Sequence, residues 1–111
     1  MDETVYKICR AAEWREAEQR GVYRGSADDQ RDGFIHFSTA EQTPGTHQKY
    51  FANQAGLLLI AVDAAALGAA LKWEASRGGA LFPHLYGDLP LAAVRWFRPL
   101  NSVNDLRQLG Q

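Results

Sequence analysis

The chain is poor in cysteine, in surplus charge and in long apolar runs, and each lack excludes a class of protein. Cys9 is the single cysteine among 111 residues, so no disulfide can close within the chain and nothing points to an oxidising compartment. The 12 basic residues nearly match the 13 acidic ones, a formal net charge of -1. A broad nucleic-acid surface therefore has no electrostatic basis, although a small nucleotide pocket needs only a few local cations. The longest apolar run, Leu57 to Val62, is far shorter than the ~20 residues that a membrane-spanning helix needs. Met1-Asp2-Glu3-Thr4 is acidic and lacks the basic-then-apolar pattern of a secretory signal. Together these lacks predict a cytoplasmic protein with no membrane partner. No Gly-x-Gly-x-x-Gly and no phosphate-loop Lys-Ser/Thr is present. His36, His47 and His84 match no compact zinc spacing, and Cys9 sits in another segment, so no metal is expected.

What is there describes one domain spanning residues 1–111, since 46% hydrophobic and 23% charged residues are ordinary for a globular chain of this length. Thr4 to Ile8 alternates like a strand, and Arg10 to Arg20 carries the one-sided spacing of a helix, with Gly21 as its terminator. Val22 to Arg31 is charged and aperiodic, and reads as a surface loop. Ser38-x-x-Glu41 and Thr39-x-x-Gln42 both fit the reciprocal cap that begins a helix, and Thr43-Pro44 offers a second start. That helix is expected to end between Asn53 and Gly56. Leu57 to Asp63 suits a central strand covered on both faces. Leu71 to Glu74 alternates, which predicts Leu71 and Trp73 inward. Leu81 to Tyr86 holds Pro83, which predicts an edge or bulged strand. Leu91 to Phe97 reads as a last strand stopped by Pro99, followed from Asn101 by a tail (101–111) with one helical turn around Leu106. The order favours an α+β domain with a small, mixed, split sheet and two main helices over a doubly wound sheet.

Three stretches could carry chemistry. In Asp32-Gly33-Phe34-Ile35-His36-Phe37-Ser38-Thr39, the side chains of Phe34, His36 and Ser38 share one face of an extended chain. His36 there fits a general base or a donor to phosphate, and equally a half-buried histidine bonded to a backbone carbonyl. Lys72 and Glu74 share a strand face, with Arg77-Gly78-Gly79 just beyond. A carboxylate between cations stays ionised, and the guanidinium with the glycine amides could hold phosphate; a solvated sheet rim explains the same residues. His84 and Tyr86 share the third face and could stack on a flat ring, or simply seal the core.

These segments resemble a small, mostly bacterial family known as domain of unknown function 952. The likeness rests on Val5-Tyr6-Lys7-Ile8, Trp14, Gly21, Tyr23-Arg24-Gly25-Ser26, the His36 strand, Gln42, Leu71-Lys72-Trp73-Glu74, Arg77-Gly78-Gly79 and Phe82-Pro83-His84-Leu85-Tyr86-Gly87. The family is similar in fold to the ADP-ribosyltransferase group, which includes RNA 2'-phosphotransferases. That resemblance implies a cleft for NAD, ADP-ribose or a phosphorylated nucleotide, and transferase or hydrolase activity on it. It likens the His36 strand to a histidine-bearing strand of those enzymes; joined to the three stretches above, it makes His36, Glu74 and His84 the expected catalytic residues, with Ser38, Lys72, Arg77, Tyr86 and Gln42 binding the ligand. The alternatives are a small-ligand binding module without chemistry and a protein-interaction domain.

Overall fold

The structure, a computed structural model, describes residues 3–109, with the Arg77 side chain outside that description. β1 (Thr4–Arg10) leads into α1 (Ala11–Arg20), then β2 (Val22–Tyr23), α2 (Ala27–Asp32) and β3 (Ile35–His36). α3 (Thr43–Tyr50), β4 (Leu57–Asp63), β5 (Leu71–Ala75) and β6 (Leu81–Leu85) follow, then β7 (Leu89–Pro90), β8 (Val94–Leu100) and α4 (Asn104–Arg107). The strands form sheets ordered β1-β4-β8, β2-β7 and β3-β6-β5. Every pairing among the described residues is antiparallel, so the mixed sheet expected from the sequence is corrected to small antiparallel ones. The α+β class stands. No helix of the described residues is long and apolar enough to cross a membrane.

β4 is central, as its unbroken apolar run predicts, because the β1-β4-β8 sheet is covered on both faces. One layer packs Val5, Cys9, Ile60 and Val62 against Trp14 and Ala17 of α1 and against Tyr23, Ile35 and Phe37. The other packs Tyr6, Ile8, Leu59 and Ala61 against Leu100 and Leu106. Complete burial of a side chain such as Leu59 or Ile60 contributes about 1.5–3 kcal/mol. Leu106, in the tail, is thus part of the core.

Several boundaries differ from the sequence reading for local reasons. Val22 to Arg31 is not a loop: Ser26 and Asp29 cap each other reciprocally and start α2. The Thr39–Gln42 cap also forms, but it closes a turn, and α3 begins at Thr43 and ends at Tyr50, short of Asn53. Trp73 is exposed, not inward. β6 is the middle strand of its sheet, not an edge, despite Pro83. Phe37 donates its N–H to the Pro83 carbonyl at 2.9 Å, so the side on which Pro83 lacks a donor is the β3 side. The β3–β6 ladder accordingly ends at His36–His84. β8 runs through Pro99 to Leu100 because it is an outer strand, where proline is tolerated.

β1 joins the two larger sheets through Ser38. Tyr6 and Ser38 exchange backbone bonds of 2.8 and 2.9 Å just beyond β3. Gly25 permits the other close approach, of α2 to the chain before it: it has φ +99°, and a Cβ there would lie 2.7 Å from the Asp29 Cβ. Gly25→Ala is therefore expected to cost ~2–5 kcal/mol, left-handed strain plus overpacking. Gly33→Ala, with φ +88° but open space, should cost only ~1–2 kcal/mol. Chemical denaturation of both variants checks the difference, and equal losses would contradict the tight approach at Gly25.

Candidate functional site

Strand register gathers the residues that the sequence offered separately. His36 pairs with His84, and His84 on its other side pairs with Lys72, so the row crosses β3, β6 and β5. Glu74 is one diagonal away on the same face. Its Oε1 accepts from His84 Nδ1 at 2.8 Å and from the Tyr86 hydroxyl at 2.7 Å. The His36 and His84 rings meet edge to face with centroids 5.6 Å apart. Phe34 stacks on His84 at 4.1 Å and tilts against His36 at 4.6 Å.

The two imidazoles are held differently. His36 Nδ1 lies 2.6 Å from Asp29 Oδ1, and its Nε2 lies 3.1 Å from Asp32 Oδ2. The Asp29 contact is a hydrogen bond, and the Asp32 carboxylate stands at ion-pair distance on the other side of the ring. Asp29 is buried and also takes the Lys7 ammonium at 2.7 Å, the Ser26 amide at 2.9 Å and the His36 amide at 3.1 Å. Burial alone pushes the Asp29 carboxyl up; the His36 bond, the Lys7 charge and bond and the Ser26 amide outweigh it and hold it well below the carboxylate range.

His84 is buried, and a carboxylate can only accept, so its Nδ1–H donates to Glu74. Its Nε2 makes no hydrogen bond to the described residues. The Tyr86 bond and then the His84 bond lower the pKa of Glu74, while the same contact raises that of Tyr86. Glu74 thus stays ionised and fixes the tautomer of its neighbour.

A hollow of about 290 Å³ opens beside these rings. His36, His84 and Ser38 line it, with Phe34, Asp29, Asp32 and Lys7, and with Tyr50 and Phe51 from the end of α3. Ser38 is buried, with its hydroxyl 2.8 Å from that of Thr46. Glu74, Tyr86 and Lys72 do not line the hollow. Glu74 reaches it through His84, and Lys72 sits over the Tyr86 ring at 5.3 Å. Gln42 is elsewhere, its amide bonded to the Thr39 amide and to the Leu81 carbonyl. The Arg77 side chain lies outside the described residues. No group of His, Cys, Asp or Glu among the described residues is arranged to hold a metal. Cys9 is buried, and desolvation pushes its thiol up to about 12, which disfavours a nucleophile.

Lys7 and Asp29 line the hollow and were not singled out as site residues from the sequence. Two signals were available. Lys7 is a lone charge inside an otherwise apolar strand, and Ser26-x-x-Asp29 has the spacing of a capping box.

Fold and site define an α+β domain with one histidine-lined hollow. The model of a family described as "Protein of unknown function (DUF952)" matches residues 8–97, and the chain belongs to that family. The crystal structure of protein CC0527 from Caulobacter crescentus is similar, with 51% identity, a TM-score of 0.86, and coverage of 88% of this chain and 86% of that one. The solution structure of CC0527 has 49% identity and a TM-score of 0.81, covering 96% and 93%. No curated protein matches the sequence. A likeness to ADP-ribosyltransferases is not among what these comparisons show.

Two outcomes follow from the geometry. Asp29→Asn leaves Lys7 buried without its counter-charge and should cost ~3–5 kcal/mol in denaturant unfolding. Because the Asp29 pKa is depressed on folding, its contribution is complete above the unfolded carboxylate value near pH ~4 and is lost as pH falls through the folded one. The wild-type advantage over Asp29→Asn should therefore shrink below about pH 4; an advantage unchanged in acid would contradict the charged pair. Second, long-range ¹H–¹⁵N spectra at about pH 8 should show His84 as the Nδ1–H tautomer, and Glu74→Ala should abolish that preference. A wild-type Nε2–H tautomer would contradict the assignment.

Proposed function

We propose that the hollow binds a nucleotide-derived ligand (NAD, ADP-ribose or a phosphorylated nucleotide) and that the chain acts on it as a transferase or hydrolase. One observation carries this reading: two carboxylate-held imidazoles meet edge to face beside an aromatic-walled hollow. Pairs of titratable groups with different environments are how a site divides acid and base work. His84 is the proton-transfer group, since Nε2 can take a proton from an attacking hydroxyl or return one to a leaving group while Glu74 holds Nδ1–H. His36, held by carboxylates at both nitrogens, orients and binds. Glu74 acts through His84 as a positioning residue. The ADP-ribosyltransferase likeness inferred from the sequence belongs to this proposal and supplies its ligand class.

Size limits how such a ligand enters. At about 290 Å³ the hollow is at the small end of the ~300–1,000 Å³ typical of small-molecule sites, so a dinucleotide enters by one end only. The interaction-domain reading has less support. Trp96 and Phe97 are exposed, but neighbouring strand residues face opposite ways, and they touch Tyr6 and Trp14 in the two different core layers. They do not join into one patch.

Calorimetric titration with NAD, ADP-ribose, adenosine and nicotinamide mononucleotides and a 2'-phosphorylated oligonucleotide tests the proposal. At least one should bind with a Kd below roughly 1 mM and be converted, with conversion lost in His84→Ala. Binding with the ligand recovered unchanged would reduce the proposal to a binding module. Absence of binding across the panel would overturn it.

A further inference from the structure

We infer that the ligand enters ring first: an uncharged or cationic heteroaromatic ring and its ribose fill the hollow, and the phosphates remain outside. This rests on the nucleotide-derived ligand proposed above and fixes which part of it the site recognises.

Among the described residues, charge in the hollow is already matched. Asp28, Asp29 and Asp32 line it against Lys7 and Arg31, one negative charge in excess with His36 neutral and balanced with His36 charged. Each of these cations already has a carboxylate: Lys7 has Asp29 at 2.7 Å, and Arg31 has Asp28 at 3.1 Å and Asp32 at 3.3 Å. A phosphate placed here would have to displace a carboxylate from its partner while facing others of its own sign. Of the backbone donors here, the Ser26 and His36 amides both donate to Asp29 already. An uncharged or cationic ring meets none of these penalties. The walls formed by Phe34, Phe51 and Phe82 offer it aromatic contact, and His84 Nε2 offers a hydrogen bond. Lys49 and Lys72 stand outside the lining, each over an aromatic ring, at 5.5 Å from the Tyr50 centroid and 5.3 Å from that of Tyr86.

Matched pairs settle the orientation: adenosine against its 5'-monophosphate, and nicotinamide riboside against its mononucleotide, titrated into the full chain, with the tighter-binding pair deciding. The nucleoside should bind within about tenfold of its nucleotide, and millimolar pyrophosphate should not displace it. A nucleotide preferred by more than about tenfold, or displacement by pyrophosphate, overturns ring-first entry while leaving the nucleotide reading intact. If neither nucleosides nor nucleotides bind, the ligand class itself is wrong and this inference falls with it.

Discussion

The buried carboxylate of Asp29 is the constraint on which the candidate site depends. Its two oxygens receive four donors: Lys7 Nζ, the Ser26 amide, the His36 amide and His36 Nδ1. A carboxylate offers about four lone-pair directions, so its capacity is filled. Those donors come from β1, from the turn into α2 and from β3. One side chain therefore ties a core strand, a short helix and the histidine strand into one rigid corner. Gly25 is the backbone condition for this, because only a residue without Cβ lets Asp29 approach.

Such a corner is not explained by stability alone. Taking an ammonium and a carboxylate out of water costs several kcal/mol for each ion, and well-packed apolar residues could fill the same space as favourably. What charged partners provide is orientation, since each hydrogen bond has a direction that dispersion contacts lack. Here the oriented object is the His36 ring, held at both nitrogens beside the hollow. His84 is its counterpart, buried, braced by Phe34 and Glu74, with one nitrogen uncommitted. One imidazole is locked and its neighbour is available, and that asymmetry gives the site its chemical character.

Much of the scaffold was legible because local pattern and tertiary role agree. β1, α1 and β4 follow from alternation, one-sided spacing and an unbroken apolar run. Reading failed where a long-range partner overrode the local signal. Pro83 marks an edge strand by its missing donor, yet β6 is central because β3 is only two residues long and pairs no further than His84. Trp73 alternates as though inward, but its face of the β3-β6-β5 sheet leaves it exposed. Val22 to Arg31 looked solvated because a charge near other charges usually is; nothing local announces that Asp29 has Lys7, more than twenty positions earlier, as its partner.

For the site, the residue types and their strand faces are one-dimensional facts. Phe34 with His36, Lys72 with Glu74 and His84 with Tyr86 each share a face because side chains alternate along any extended chain. The sequence by itself determined those pairs, along with the apolar strands that bury the sheet. Only the tertiary structure decided that the three pairs lie on one face of one sheet, and that Asp29, with Asp28 and Asp32, borders the hollow while Glu74 does not. Register sets which strands align, and a one-residue slip would send every side chain to the opposite face. That choice is made by packing and buried charge across the whole domain, which no short stretch of the chain contains.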